Sequence, residues 1–119
     1  MKAIIKSMWI NSAAIDLDTY FPEDPECFGL WIEFRAGFKD EESADDFRVL
    51  VCTPEWLRKE YGWKKSMWGR HMLVVFNYDL DAIKMEINQC VENCTGDNWM
   101  IIAQKISRFF AWEFEDYQS

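Results

Sequence analysis

The sequence predicts an α+β domain: a mostly antiparallel sheet of about four strands, with a short helix and a C-terminal helical hairpin on one face. Three observations predict it: apolar residues that alternate along the first half, a helix start at Thr53 and Pro54, and two apolar stripes of helical period after Asp79. A length of 119 residues is that of one core, so we expect residues 1–119 to form a single domain.

The first half predicts three strands. Residues 2–10 are rich in β-branched and aromatic side chains, and a polar, turn-rich stretch follows as far as Pro25. In residues 28–38 the even-numbered positions are apolar, which indicates a half-buried strand. A third strand is expected over residues 47–52. The intervening residues 39–46 then form a long, strongly acidic hairpin tip.

A helix is expected to begin after Thr53, because a hydroxyl can cap the first free amide and Pro54 costs nothing at the first helical position. Gly62 is a natural end for this helix. Residues 71–78 follow, with apolar side chains on both faces of the predicted strand. That pattern favours an interior position in the sheet.

Two helices complete the predicted domain. Asp79 caps the first, Gly96 is expected to end it, and its inner stripe comprises Leu80, Ile83, Ile87, Cys90, Val91 and Cys94. The second begins at Asp97 or Asn98, and its inner stripe comprises Trp99, Ile102, Ala103, Ile106 and either Phe109 or Phe110. The short connection predicts a helical hairpin. The pattern leaves the strand order open.

Composition restricts the classes of partner. Half of the residues are hydrophobic and 29% are charged, as in ordinary folded proteins. The formal net charge of −8 argues against a direct nucleic-acid partner and favours a basic one. No apolar run is long enough to span a membrane, and residues 1–6 lack the features of a signal peptide. We therefore expect a cytoplasmic protein without a membrane partner.

The four cysteines, Cys27, Cys52, Cys90 and Cys94, form no C-x-x-C pair, and His71 is the one histidine that could assist them. We expect reduced thiols that pack in the core, and neither a metal nor a cofactor. Catalytic motifs are also missing: the five glycines are scattered, and His71, which could act as a base, is more typical of a packed or hydrogen-bonded histidine at the end of a sheet. Glu113 and Glu115 could imitate a hydrolase pair in an extended tail, but surface carboxylates often do so by accident. A non-enzymatic protein is expected.

Acidic residues concentrate in segments that can meet another molecule. Residues 1–46 carry a net charge of −7, residues 47–78 carry +4 and residues 79–119 carry −5. Any one acidic cluster is typical of solvated surface that blocks edge pairing, but three clusters of one sign favour a partner. The candidate binding residues lie in the hairpin tip and the tail: Asp40, Glu41, Glu42, Asp45, Asp46, Glu113, Glu115 and Asp116.

Four stretches, taken in order, resemble one family. They are residues 20–29 (Tyr-Phe-Pro-Glu-Asp-Pro, then Phe-Gly), 51–62 (Val-Cys-Thr-Pro-Glu-Trp-Leu, then Tyr-Gly), 69–79 (Gly-Arg-His, then Tyr-Asp) and 107–117 (Ser-Arg, then Trp-Glu-Phe-Glu-Asp-Tyr). The chain resembles immunity protein 8, a family from bacterial polymorphic toxin and contact-dependent inhibition loci. The resemblance implies an antitoxin that binds a cognate toxin domain and blocks it in the producing cell.

An alternative function remains open at this point. Three tryptophans, Trp31, Trp63 and Trp68, do not lie on the apolar stripes of the predicted elements. Exposed aromatic side chains are common in binding sites, so a small-molecule-binding or peptide-binding accessory domain is the second hypothesis.

Overall fold

The structure, a computed structural model, describes residues 1–114. This part of the chain contains a five-stranded mixed sheet and three helices, which confirms the α+β class. The elements in chain order are β1 (Ile4–Ile10), β2 (Gly29–Gly37), β3 (Asp45–Cys52), α1 (Pro54–Tyr61), β4 (Met72–Val74), α2 (Leu80–Glu92), α3 (Trp99–Ile106) and β5 (Ala111–Trp112).

Strand β3 is the centre of the sheet. The path runs β1-β2-β3-β4, and β5 pairs with β3 as well. All pairs are antiparallel except β3 with β4. Because β2 occupies one edge of β3, β4 and β5 share the other edge: β4 lies beside Leu50–Cys52 and β5 beside Phe47 and Arg48.

The register of the sheet defines its buried face. Ile32 pairs with Val49 and Phe34 pairs with Phe47, and all four side chains are almost completely buried. Helices α2 and α3 cover this face. Their buried residues join the same core and comprise Ile83, Ile87, Val91, Ile102, Ala103 and Ile106.

The opposite face of the sheet is only partly covered. Side chains alternate between faces along a strand, so Trp31, Glu33 and Arg35 lie on this side of β2. Helix α1 covers one end of the face: a Cβ atom at Gly29 would come within 2.2 Å of the Trp56 ring. Glycine at position 29 therefore makes room for α1.

The predicted helix starts are confirmed by their caps. Thr53 Oγ1 accepts from the backbone N–H of Trp56 at 3.3 Å, and Pro54 begins α1. Asp79 caps α2 and Asn98 caps α3, each through its side-chain oxygen. Gly62 follows the last residue of α1, as the sequence predicted. None of the helices within residues 1–114 is long and apolar enough to cross a membrane.

Three predicted boundaries are wrong. The first strand begins at Ile4 instead of residue 2, although Lys2 forms an isolated bridge with Thr95. The third strand begins at Asp45 instead of residue 47, because this residue and the next pair with Ala36 and Arg35. Helix α2 ends at Glu92 with Asn93 as its C-cap, so Cys94 lies beyond the helix and Gly96 does not end it.

The predicted interior strand is an edge strand. Only Met72–Val74 form β4, which is the last strand of the sheet path. Leu73 and Val75 pack against the core, whereas Val74 and Phe76 are 43% and 77% exposed. The apolar residues on both sides of the predicted strand therefore correspond to one buried face and one face that is apolar but exposed. The two-residue strand β5 was not predicted.

Candidate functional site

The acidic hairpin tip and Glu113, the acid of the tail that the structure describes, come together at one end of the sheet. The N–H of Asp46 donates to Oε1 of Glu113 at 2.9 Å, and the N–H of Glu113 donates to the carbonyl of Asp46 at 3.1 Å. Of the candidate residues, Glu115 and Asp116 lie outside the described residues. We use the name acidic surface for the remaining exposed or half-exposed acids: Asp40, Glu41, Glu42, Asp46 and Glu113.

The tip itself is held against the body of the protein. Lys6 occupies the irregularity between Ile5 and Ser7 in the β1–β2 register, and its ammonium group donates to the carbonyl of Glu41. Phe38 packs edge-on against Trp99 of α3, with ring centroids 5.5 Å apart. The side chains of Asp40, Glu41 and Glu42 are thus presented to solvent from an anchored turn.

Asp45 has a structural role that distinguishes it from the other tip acids. Its Oδ2 accepts from the indole N–H of Trp99 at 2.9 Å and from that of Trp112 at 3.1 Å. The residue is half-buried at the start of β3. One carboxylate oxygen therefore links β3 to α3 and β5.

Asp46 is paired with a cation. Its two carboxylate oxygens accept from Nε and Nη2 of Arg35 at 2.9 and 3.2 Å. The hydrogen bond to Asp46 and the charge of Asp46, with a smaller contribution from Glu113, raise the pKa of Arg35. The positive charge of Arg35 offsets the negative charge of Asp46 and, more weakly, that of Glu113. The acids of the exposed tip lie outside this ion pair.

A surface depression of about 450 Å³ adjoins the acidic surface on the open face of the sheet. Its polar lining includes Glu33 and Arg48, which sequence reasoning did not select. Trp9 donates from its indole N–H to Oε2 of Glu33 at 3.1 Å, and the guanidinium of Arg48 lies 5.0 Å from the ring centroid of Trp31. The alternation of β2 indicated the face, but the pairing of β5 beside it could not be read from the sequence.

Of the residues considered for catalysis, the structure describes His71, which precedes β4, and Glu113, which follows β5. His71 has a left-handed backbone, with φ of 57°, and its carbonyl accepts from the N–H of Leu50 at 3.0 Å. Glu115, the other carboxylate of the predicted pair, lies outside the described residues. Among residues 1–114, no three His, Cys, Asp or Glu side chains lie together as metal ligands would.

The four cysteine thiols are free, and burial raises the pKa of three of them, Cys52, Cys90 and Cys94. Burial raises the pKa of Cys52 to about 11. Burial, aided by Cys94 and Glu86, raises the pKa of Cys90 to about 11. Cys94, which is 5% exposed, donates from Sγ to the carbonyl of Cys90 at 3.3 Å. These groups pack as small apolar side chains, and a neutral thiol is a poor nucleophile and metal ligand.

Comparison with known protein families decides the family of the chain. Residues 3–117 match Immunity protein 8, nearly the whole sequence. The chain belongs to the immunity protein 8 family. A search of curated proteins and a search of solved structures both return no match. The family name implies an immunity protein that acts against a toxin, which favours a non-enzymatic role.

This immunity protein 8 member also exposes a second surface, of opposite charge. Residues 62–70, here named the aromatic loop, are all exposed. Trp63 and Trp68 are 78% and 95% exposed. The ammonium group of Lys64 lies 5.3 Å from the ring centroid of Trp63 and 5.7 Å from that of Tyr61. The loop carries three cations and no acid, Lys64, Lys65 and Arg70.

Proposed function

We propose that this immunity protein 8 member binds a cognate toxin domain in the cytoplasm of the producing cell and neutralises it without catalysis. The match over residues 3–117 carries the proposal, because it covers the entire described fold except its first two residues. We place the chain in a polymorphic toxin system, in which the toxin and its antitoxin are encoded together.

We further propose that the toxin presents a basic face. A net charge of −8 attracts basic proteins over long range and raises the rate of encounter. The acidic surface is the part of the described structure that suits this face best, since Asp40, Glu41 and Glu42 project from an anchored turn. We include Glu115 and Asp116, which lie outside the described residues, among the candidate toxin-binding acids.

Neutralisation would then be steric and electrostatic. A toxin that cuts nucleic acid has an active-site cleft lined by cations, which bind the phosphate groups of its substrate. Carboxylates of an inhibitor can occupy the phosphate positions. The tip supplies carboxylates on a turn that Lys6 and Trp99 hold in place, so little conformational freedom would be lost on binding. No proton transfer or bond cleavage by the immunity protein is required.

Co-expression tests the function. The toxin domain encoded beside this protein should arrest growth when produced alone and should be harmless when this protein is produced with it. The two proteins should also co-purify as a stable complex. Arrest despite co-expression, with both proteins soluble and abundant, would contradict the proposal.

A second candidate function is a small-molecule-binding or peptide-binding accessory domain. The exposed Trp63 and Trp68 favour it, because exposed indole rings are common where ligands stack. Tryptophan fluorescence measured against a metabolite panel separates the two functions. A saturable change with one compound, together with no protection against the toxin, would favour the accessory domain.

A further inference from the structure

We propose that the aromatic loop is a second contact surface of the immunity protein, at which Trp63 and Trp68 anchor an acidic segment of the toxin polypeptide. This inference rests on the proposed function. The acidic surface would contact a basic part of the toxin, whereas the aromatic loop would contact an acidic part of it.

The exposure of the two indoles is not explained by the fold. Trp9, Trp56, Trp99 and Trp112 are half-buried and hydrogen-bond or pack against the body of the protein. Trp63 and Trp68 leave 78% and 95% of their surface in water, and the neighbouring Met67 is 40% exposed. Tryptophan and methionine are enriched in the buried centres of protein interfaces, where a few such residues supply most of the binding energy.

The charge around these indoles identifies the partner's chemistry. Between Glu60 and Asp79 the sequence contains no acidic residue, although the chain has 21 of them. The nearest recorded acids from other segments are Glu23 and Asp24, which share a pocket with Lys59 on the side of α1, and Glu86, which shares a depression with Gly69 and Arg108. The ammonium group of Lys64 lies over the rings of Tyr61 and Trp63. The indole of Trp63, with a cation beside it, is complementary to a segment rich in Asp and Glu.

Both ends of the loop are fixed to regular structure. At its start, the N–H of Gly62 donates to the carbonyl of Arg58 at 2.8 Å and that of Lys64 to the carbonyl of Tyr61 at 2.9 Å. Just beyond its end, the carbonyl of His71 accepts from Leu50 of β3 at 3.0 Å. Fixing a loop before binding reduces the entropy lost in the complex.

One partner can reach both surfaces. His71 and Glu113 bond to the same edge of β3, at Leu50 and Asp46 respectively. Asp46 and Leu50 are about 13 Å apart along the strand, so Glu113 and the end of the aromatic loop lie within the width of a standard interface of roughly 800 Å² per partner. A toxin that contacts both would be held in one orientation by a negative and a positive contact.

Single-stranded nucleic acid also binds to surfaces that combine aromatic rings with lysines. The net charge of −8 opposes it, because every phosphate would approach a strongly acidic molecule. Anionic membrane is disfavoured for the same reason. A toxin with a basic face is still attracted to the protein as a whole, so its acidic segment needs only short-range attraction to the loop, which acts within a Debye length of about 8 Å at physiological salt.

The experiment measures the binding kinetics of the adjacent toxin domain, inactivated by mutation, to the full chain. Trp63→Ala combined with Trp68→Ala should raise Kd at least tenfold, mainly through faster dissociation. Ile15→Ala combined with Met100→Ala is the matched control, because both side chains are apolar and are 42% and 54% exposed on segments outside the aromatic loop. Circular dichroism and unfolding curves should be unchanged in both variants.

Charge reversal tests the chemistry of the partner. Lys64→Glu with Lys65→Glu should weaken binding more than Lys64→Gln with Lys65→Gln does. Tighter binding after reversal would overturn the assignment of an acidic segment. A Kd within twofold of wild type for the double tryptophan variant would overturn the proposal that Trp63 and Trp68 anchor the toxin.

Failure of this inference is distinguishable from failure of the proposed function. If the wild-type protein neither binds the toxin domain nor protects against it, both proposals fail. If it binds and protects while the tryptophan variant does so equally well, only the anchor fails. The anchor also fails if a single-stranded oligonucleotide or an anionic vesicle binds through Trp63 and Trp68 while toxin binding is indifferent to them.

Discussion

The carboxylate of Asp45 and the indole N–H of Trp99 form a 2.9 Å hydrogen bond that joins the start of β3 to the first residue of α3. Trp112 of β5 donates to the same oxygen at 3.1 Å. Asp45 therefore has a structural role, although it is one of the five acids in the segment that the sequence predicted as a solvated tip. We therefore assign steering of the toxin to its neighbours in the tip.

Replacing Asp45 should destabilise the protein. Asp45→Ala removes the acceptor of two half-buried indole donors, and we expect a loss of about 2 kcal/mol in the free energy of unfolding. Asp45→Asn retains an acceptor oxygen and should cost less. Urea unfolding monitored by tryptophan fluorescence measures both. Equal stability of Asp45→Ala and wild type would show that these two hydrogen bonds contribute nothing net.

Among the helix N-caps, Thr53 is the residue whose replacement we expect to lower stability most. Its Oγ1 accepts from the N–H of Trp56 and from the N–H of Phe28, at 3.3 and 3.1 Å, and the residue is 1% exposed. Thr53→Ala should cost about 2 kcal/mol, since it removes the N-cap and leaves a buried amide without its acceptor. Thr53→Ser keeps the hydroxyl and is the control. Toxin affinity should hardly change, and a large loss of affinity at unchanged stability would instead place Thr53 in the interface.

Because Gly29 lies against the ring of Trp56, we expect substitutions at these two positions to have non-additive effects on stability. Gly29→Ala forces the new methyl group against the indole ring, so we expect a loss of about 1–3 kcal/mol, the usual cost of overpacking. Trp56→Leu should recover part of that loss by clearing the space. A double-mutant cycle measures the coupling. Fully additive effects would mean that the ring moves aside at no cost.

The buried thiols predict a dependence of stability on alkaline pH. The pKa values of Cys52 and Cys90 are about 11 in the folded protein, above the ordinary value of 9.0. Between pH 9 and 11 the unfolded chain therefore releases protons that the folded chain retains, and stability falls as pH rises. Unfolding curves at pH 8 and pH 10 should show this, and Cys52→Ala with Cys90→Ala should flatten the dependence. An identical slope in the double variant would contradict the assignment.

The sequence indicated local features well and long-range pairings poorly. Thr53 and Pro54 begin α1 as predicted because capping involves residues only three apart. Asp45 and its two indole donors are separated by 54 and 67 residues, and no local pattern carries that information. Strand β5, with two residues, is too short to show a period. Composition could therefore indicate acidic residues as candidates, but it could not separate Asp45, which bonds to two indoles, from the acids that project into solvent.

The exposed tip offers the most direct test of electrostatic steering. Asp40→Asn, Glu41→Gln and Glu42→Gln together remove three negative charges from exposed side chains of the turn. Asp45 and Asp46 are left intact because they bond to Trp99, Trp112 and Arg35. Surface substitutions of this kind usually change stability by no more than about 0.5 kcal/mol each, so unfolding would not be mistaken for lost binding.

The matched control removes the same charge elsewhere: Glu23→Gln, Glu26→Gln and Asp81→Asn are exposed substitutions near the starts of β2 and α2, at the end of β2 opposite the tip. Rim charges act mainly on the association rate, and their effect is screened by salt. The tip variant should therefore associate with the toxin several-fold more slowly at low ionic strength and show a shallower salt dependence than the control. Equal association rates for the two variants would refute steering by the tip. Slowing by the same factor in both would show that net charge alone, and not this surface, governs the encounter.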